Sequence, residues 1–183
     1  MYCCTKCRGE TKIADAFDTL LNIDYEELAG IAIFCDADQK KANEKFDGLL
    51  EHLIGNIDKE FLELVKGAKF DEVKSIPKKF GIFVFPNNEE SGTLELLLLE
   101  GGELVYADLL VGARSYLEDV SEIHKRNWTV SDADKVLFGV AANVLKPGKA
   151  NQVSIQDNQW ISDQTIESTS QIRLLKFLED ILR

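Results

Sequence analysis

Proline is scarce in this chain, with 3 residues in 183, and histidine is scarcer still, with 2. Three prolines are too few for a proline-rich linker, and no internal repeat or low-complexity stretch is visible. The histidines, His52 and His124, stand alone in sequence with no nucleophile beside either. No Ser–His or Cys–His catalytic arrangement is therefore assigned. Long apolar runs are missing too. A membrane span needs about 18 or more consecutive apolar residues. The densest run, Leu94 to Leu99, is far shorter and is interrupted by Glu95. The opening MYCCTKCRGE has no apolar stretch of the secretory kind, so a cytoplasmic location is expected. Positive charge is also in deficit. Lys and Arg number 21 against 32 Asp and Glu, a formal net charge of −11. Such a chain repels phosphate polymers and anionic membranes at long range. A DNA or RNA partner would need a local basic patch or bound cations. The only positive stretches are Lys74-Ser75-Ile76-Pro77-Lys78-Lys79 and His124-Lys125-Arg126.

Against these absences stands a hydrophobic content of 45%, which excludes global disorder. The length suits one domain with its own core. Two apolar, β-branched and aromatic runs read as buried strands, Ile31 to Cys35 and Gly81 to Phe85, and Tyr2 to Cys7 is a third candidate. Continuous runs of this kind fit parallel strands covered on both faces. Between them the period changes to that of helices. Ile13, Ala16, Phe17, Leu20 and Leu21 share one face, as do Phe46, Leu49, Leu50, Leu53 and Ile54. Val105, Leu109, Ala113, Tyr116, Leu117 and Val120 predict one long amphipathic helix from Leu104 to Ile123. Val136, Val140, Ala141 and Val144 predict another, and Ile172, Leu175, Leu178 and Ile181 the last. Strands alternating with helices imply an α/β fold with a parallel sheet. The expected organisation is a single domain with a βα core over 1–92 and a mainly helical extension over 93–183.

The first chemical feature is the end of the first strong strand, IAIFCDADQ. If the strand continued, Asp36 and Asp38 would face the same side. That side lies at the carboxyl edge of the sheet, where open α/β folds place ligands. Two carboxylates so close disfavour joint ionisation, and a divalent cation such as Mg²⁺ removes that penalty. The plainer alternative has Asp38 capping the next helix, with Asp36 in solvent. The second feature is Glu95 inside the apolar segment that follows Gly92-Thr93. A charge beside buried surface needs a partner, a cation or a raised pKa. Its plainer alternative is a solvated position on a helix capped by Thr93.

Taken together, IAIFCDAD, GIFVFPNN, Gly92-Thr93-Leu94-Glu95, Asp134-Lys135 and Trp160-Ile161-Ser162 resemble a Toprim-like domain. The closest likeness is to a small bacterial and archaeal family related to the Toprim parts of OLD-type nucleases. Arg8-Gly9-Glu10-Thr11-Lys12 resembles the glycine turn after that family's second strand. The resemblance covers most of the chain and implies a Rossmann-like, Toprim-type parallel sheet flanked by helices. It implies Mg²⁺ or Mn²⁺ held by Asp36 and Asp38. Glu95 is implied as a further ligand or orienting group, and Lys135 as the residue that neutralises phosphate. The implied chemistry is metal-assisted cleavage of a phosphodiester in nucleic acid. Toprim domains begin with a strand ending in a glutamate, usually followed by glycine, and no such strand is found here. The chain is thus expected to start one βα unit late. That departure favours the alternative, a non-catalytic relative binding a partner protein or a nucleotide. A sheet edge opened by a missing strand could be covered by a second copy, so a homodimer is a further expectation.

Two other readings carry less. Cys4-x-x-Cys7, with Cys3 beside it, suggests zinc, yet structural zinc needs a second close pair and the sequence holds none. Reduced thiols are expected for all 4 cysteines. A phosphorylated strand-end acid of the flavodoxin-like kind would need a lysine at a later strand end, and Lys135 falls on a helix.

Overall fold

The computed structural model describes residues 2–3, 10–20, 28–76 and 78–183. Cys4, Cys7 and the Arg8-Gly9 turn lie outside the described residues. Three strands form one parallel sheet in the order β1-β2-β3. They are β1 (Tyr2–Cys3), β2 (Gly30–Asp36) and β3 (Lys79–Phe85). Gly30 to Asp36 pair in register with Lys79 to Phe85, and β1 adds a two-residue pairing at Gly30 and Ile31. The two apolar runs are thus strands, each slightly longer than their β-branched centres.

The pleat sends alternate residues to opposite faces. Ile31 and Ile33 of β2, with Phe80, Ile82 and Val84 of β3, enter the first core. Helices α1 (Glu10–Leu20), α2 (Ala42–Asn56) and α3 (Lys59–Val65) supply the rest of that core. Phe17 of α1 meets Phe61 of α3 edge-on at 5.2 Å between ring centroids. Phe34, Phe83 and Phe85 point to the other face. There Phe177 of the last helix lies 5.7 Å from Phe34 and 5.4 Å from Phe83. Both faces are therefore covered, as the continuous apolar runs imply.

The remaining chain is helical: α4 (Leu94–Val105), α5 (Ala107–Asp119), α6 (Glu122–Lys125), α7 (Val130–Leu145), α8 (Asn151–Asp157) and α9 (Thr169–Leu182). A second core joins α4, α5 and α7 around Trp160. The predicted long helix from Leu104 to Ile123 is not formed. It breaks at Tyr106, whose ψ is 29°, and again at Val120, whose ψ is 125°. Tyr106 leaves the helical path because its ring packs 5.1 Å from Trp160 and its hydroxyl accepts the Gln159 N–H at 2.8 Å. Tertiary packing here overrides a regular apolar spacing.

Two predicted helices bury one expected position each, Ala141 and Ile181, but are otherwise turned about their axes. In α7 the buried residues are Ser131, Leu137, Phe138, Ala141 and Ala142, while Val144 is exposed. In α9 they are Ser170, Gln171, Phe177 and Ile181, while Ile172 and Leu175 are exposed. The polar Gln171 faces inward because the second core offers it partners, described below. Through Phe177, the last helix of the predicted extension becomes a layer on the βα sheet itself. No helix among the described residues is long and apolar enough to cross a membrane.

The outer edge of β3 is partly closed by the chain itself. Phe80 exchanges both backbone hydrogen bonds with Lys74, each at 2.8 Å. The Val84 N–H donates to Asn88 Oδ1 at 2.6 Å, and the Asn88 N–H returns to the Val84 carbonyl at 2.8 Å. These contacts satisfy edge groups that would otherwise template a further strand.

Candidate functional site

Strand β2 ends at Asp36, and the alternation ends with it. Asp38 has φ 55°, the left-handed region that Asp tolerates better than most residues. Its N–H donates to the Gly92 carbonyl at 2.8 Å. Gly92 has φ 143°, a conformation that glycine enters far more readily than any other residue. The expectation that Asp36 and Asp38 share one strand face is therefore corrected: Asp38 lies in a turn and is exposed. The helix-cap alternative for Asp38 is corrected as well. Helix α2 opens at Ala42 with Lys41 as N-cap, and the Lys41 N–H donates to Glu44 Oε2 at 3.4 Å.

Asp36 sits on the face that carries Phe34, half-buried, and meets the start of α4. The Leu94 N–H donates to Asp36 Oδ1 at 2.8 Å. A residue 58 positions earlier thus satisfies one of the orphan donors at this helix start. Thr93 holds the N-cap position, but its side chain accepts no capping bond. Its Oγ1 is buried with no hydrogen-bond partner among the described residues.

Burial raises the Asp36 carboxyl above its ordinary value, against the lowering effect of the Leu94 N–H. The neighbouring Glu95 and Asp38 raise it further, and Lys135 opposes them. Asp134 is also raised, first by burial and then by Glu95. The structure thus brings Asp36, Asp38, Glu95 and Lys135 within electrostatic reach of one another, and adds Asp134. Asp36 is the last residue of β2 and Asp38 lies in the turn after it, Glu95 comes from the first turn of α4, and Asp134-Lys135 from the first turns of α7. Glu95 is half-buried, so its solvated alternative is only partly met. Among the described residues, no three His, Cys, Asp or Glu side chains converge as a metal cage.

The Asp36 shift has a sign that can be tested. A carboxyl raised by folding contributes stability below its unfolded value near 3.9, and loses it as pH rises through the folded value. At pH 7 the ionised Asp36 costs stability relative to a neutral isostere. Asp36→Asn keeps an oxygen for the Leu94 N–H and cannot ionise. Its melting temperature should exceed that of wild type at pH 7, and the gap should close as the pH falls towards 3.5 in thermal melts. A variant less stable than wild type at pH 7 would refute the assignment.

The two asparagines of GIFVFPNN are both buried and both engaged. Asn87 Oδ1 accepts from the N–H groups of Glu89 and Glu90 at 3.1 and 3.0 Å. Asn88 binds Val84, as above, and its Nδ2 donates to Asp71 Oδ1 at 3.0 Å. The motif shapes the loop that delivers Gly92 and α4 to the site.

The expected basic patch is engaged in the same structural way. Lys74 Nζ donates to the carbonyls of Glu63, Leu64 and Lys66 at the end of α3. Lys78 Nζ donates to the Leu28 carbonyl and Lys79 Nζ to the Asp180 carbonyl near the end of α9, each at 2.8 Å. Lys125 Nζ donates to the Leu117 carbonyl at 3.1 Å and pairs with Glu122. Cations placed at helix C-terminal carbonyls complement the dipole. Trp160 is 0% exposed and belongs to the core. His52 lies in α2 and His124 in α6, both away from the acidic edge in sequence and element.

Sequence reasoning left two features of the site unassigned. Asp134 carries no signal of its own in sequence beyond standing next to Lys135. A cleft of about 250 Å³ opens beside Glu95, lined also by Leu94, Leu98, Phe138, Asn151, Gln152 and Ile155. Asn151 and Gln152 carry no signal in sequence, since polar residues opening a short helix look like any surface.

Comparison with known families places residues 1–182 within the family described as Protein of unknown function (DUF3226), and the chain belongs to that family. No curated protein and no solved structure matches it.

Proposed function

We propose that this member of the family is a Toprim-like protein that carries out divalent-metal-dependent phosphodiester chemistry on nucleic acid at the Asp36 edge. One observation carries the reading: a half-buried Asp36 at the carboxyl end of a parallel strand, destabilised in its ionised form and faced by two more carboxylates and a lysine. Structural economy would place a neutral residue there. A cation would relieve the repulsion.

The donor set fits one kind of metal binding and not another. Asp36 has one oxygen engaged by the Leu94 N–H and a second that is not needed for that bond. Asp38 is exposed beside it. Two carboxylates with water completing the shell suit Mg²⁺, which is often held by one or two carboxylates plus substrate phosphate. An all-protein cage does not fit these residues. Mg²⁺ or Mn²⁺ bound here would polarise a phosphoryl oxygen and activate a water. Asp36 and Asp38 would hold the ion, Leu94 would fix the Asp36 rotamer, and Lys135 would oppose phosphate charge. Glu95 would orient the site from the first turn of α4.

The test is a calorimetric Mn²⁺ titration of wild type and Asp36→Asn at low salt, followed by a Mn²⁺-dependent DNA cleavage assay. Saturable binding and cleavage in wild type, both lost in the variant, are expected. Wild type that binds no Mn²⁺, or a variant that cleaves as wild type does, would overturn the reading.

A second reading is favoured by one specific observation. The lysines expected to hold a polymer backbone are engaged with backbone carbonyls instead. A non-catalytic protein that binds a single nucleotide needs no such patch.

A further inference from the structure

We infer that the cleft between α4, α7 and α8 is a subsite for a guanine base. The inference rests on the proposal that the neighbouring acidic edge handles nucleotide phosphate. The two places are joined by one residue: the Leu94 N–H holds Asp36, and the Leu94 side chain lines the cleft.

Size comes first. The cleft holds about 250 Å³. Drug-sized ligands occupy about 300–1,000 Å³. The space therefore takes one ring system with part of a sugar, and not an oligonucleotide. Its lining has the mixed character of a base site. Leu94 and Ile155, both half-buried, give an apolar rim for the edge of a ring, and the fully buried Leu98 and Phe138 hold that rim from beneath. Glu95, Asn151 and Gln152 supply the polar groups.

The polar set then selects among bases. A carboxylate only accepts hydrogen bonds, and it accepts two in parallel from a matching donor pair. Guanine presents that pair on its Watson–Crick edge, the ring N1–H beside the exocyclic amino group. Adenine and cytosine set a ring nitrogen acceptor beside their amino group, and its lone pair would face Glu95. Uracil sets one N–H between two carbonyls, both repelled by a carboxylate. The amides of Asn151 and Gln152 offer donors for the O6 and N7 acceptors of guanine. Glu95 thereby gains a substrate-reading role distinct from the metal-holding role of Asp36 and Asp38.

The experiment uses nucleosides, which carry no phosphate, in EDTA, with the full chain. Guanosine, adenosine, cytidine and uridine are titrated against wild type by equilibrium dialysis. Guanosine should saturate and bind about tenfold tighter than the others, within the discrimination expected of one bidentate pair. The double variant Asn151→Ala, Gln152→Ala changes two exposed side chains and should weaken guanosine about tenfold, the scale of losing hydrogen bonds to a ligand. Ile155→Trp fills the cleft and should abolish binding. The subsite is overturned if no nucleoside saturates, if adenosine or uridine binds as well as guanosine, or if both variants bind guanosine as wild type does. Because metal and phosphate are absent, failure here leaves the Mn²⁺ titration of Asp36→Asn standing. Failure of that titration equally leaves a guanosine result intact.

Discussion

Trp160→Ala should lower the unfolding free energy by about 3–5 kcal/mol, the range for large-to-small changes at a fully buried aromatic. Trp160 lies in the loop between α8 and α9, yet it is 0% exposed and central to the second core. Its ring meets Phe138 at 4.7 Å and Tyr106 at 5.1 Å between centroids. Its Nε1–H donates to Ser154 Oγ at 3.1 Å, and its carbonyl accepts from Gln171 Nε2 at 2.8 Å. Alanine would keep the backbone bond, empty the space between three helices and leave Ser154 buried without that partner. Trp160→Phe separates these effects. It retains most of the ring volume and loses the indole N–H, and because Ser154 Oγ still accepts from Asn158 Nδ2 at 3.2 Å it should cost only about 0.5–1.5 kcal/mol, the net worth of one hydrogen bond. Urea unfolding followed by circular dichroism measures both. A loss under about 1 kcal/mol for alanine, the scale of surface substitutions rather than core ones, would mean that this loop is not part of the core.

The same tryptophan explains why part of the chain was hard to read. The strands were legible because their apolar runs are short, β-branched and continuous, a pattern set by burial on both faces. Helices α1 and α2 were legible because one face of each packs on the sheet and the other meets water. The break at Tyr106 was not legible. Nothing local distinguishes Tyr106 from its helical neighbours, and the break comes from a ring and a backbone N–H that arrive from residues 159 and 160. The inner face of α9 was misread for a related reason. An apolar stripe is the best guide only when the core is apolar throughout, and here Gln171 has two buried partners waiting for it.

The candidate site divides along similar lines. Asp36 and Glu95 could be singled out because each is a carboxylate next to dense apolar sequence. That Asp36 would bind the start of α4, 58 residues on, could not be read, since it depends on how Gly92 and the turn at Asp38 bring the two segments together. The lysine stretches misled in the other direction. A cluster of positive charge looks the same in sequence whether it faces phosphate or helix ends. Only the packed structure shows Lys74 across the carbonyls of Glu63, Leu64 and the C-cap Lys66 at the end of α3. A chain with a charge of −11 that commits these lysines to its own backbone leaves the acidic edge, among the described residues, with Lys135 as the cation that acts on Asp36. That arrangement suits a cation-assisted site better than a polymer groove.

The Gly101-Gly102 pair inside α4 offers a sharp measure of how far packing outweighs local preference. On helix propensity alone, Gly101→Ala should stabilise by about 1 kcal/mol. The surroundings reverse the sign. A Cβ at Gly101 would overlap Gln171 Nε2 and stand 3.1 Å from Thr165 Cβ. Gln171 is buried, and its amide is bound at both ends. Nε2 donates to the Trp160 carbonyl at 2.8 Å, and Oε1 accepts from Thr165 Oγ1 at 2.9 Å. Admitting the methyl group means turning that amide away. Two buried polar groups then lose their partner, each at about 1–3 kcal/mol. After the propensity gain, the net loss should be about 1–5 kcal/mol. Gly112 in α5 is the control. It is exposed, and a Cβ there would meet nothing within 4 Å. Gly112→Ala should therefore raise stability by about 0.5–1 kcal/mol. Urea midpoints of the two variants should move in opposite directions. If Gly101→Ala is as stable as Gly112→Ala, the Gln171 amide does not hold α9 against α4, and the packing of the second core differs from that described.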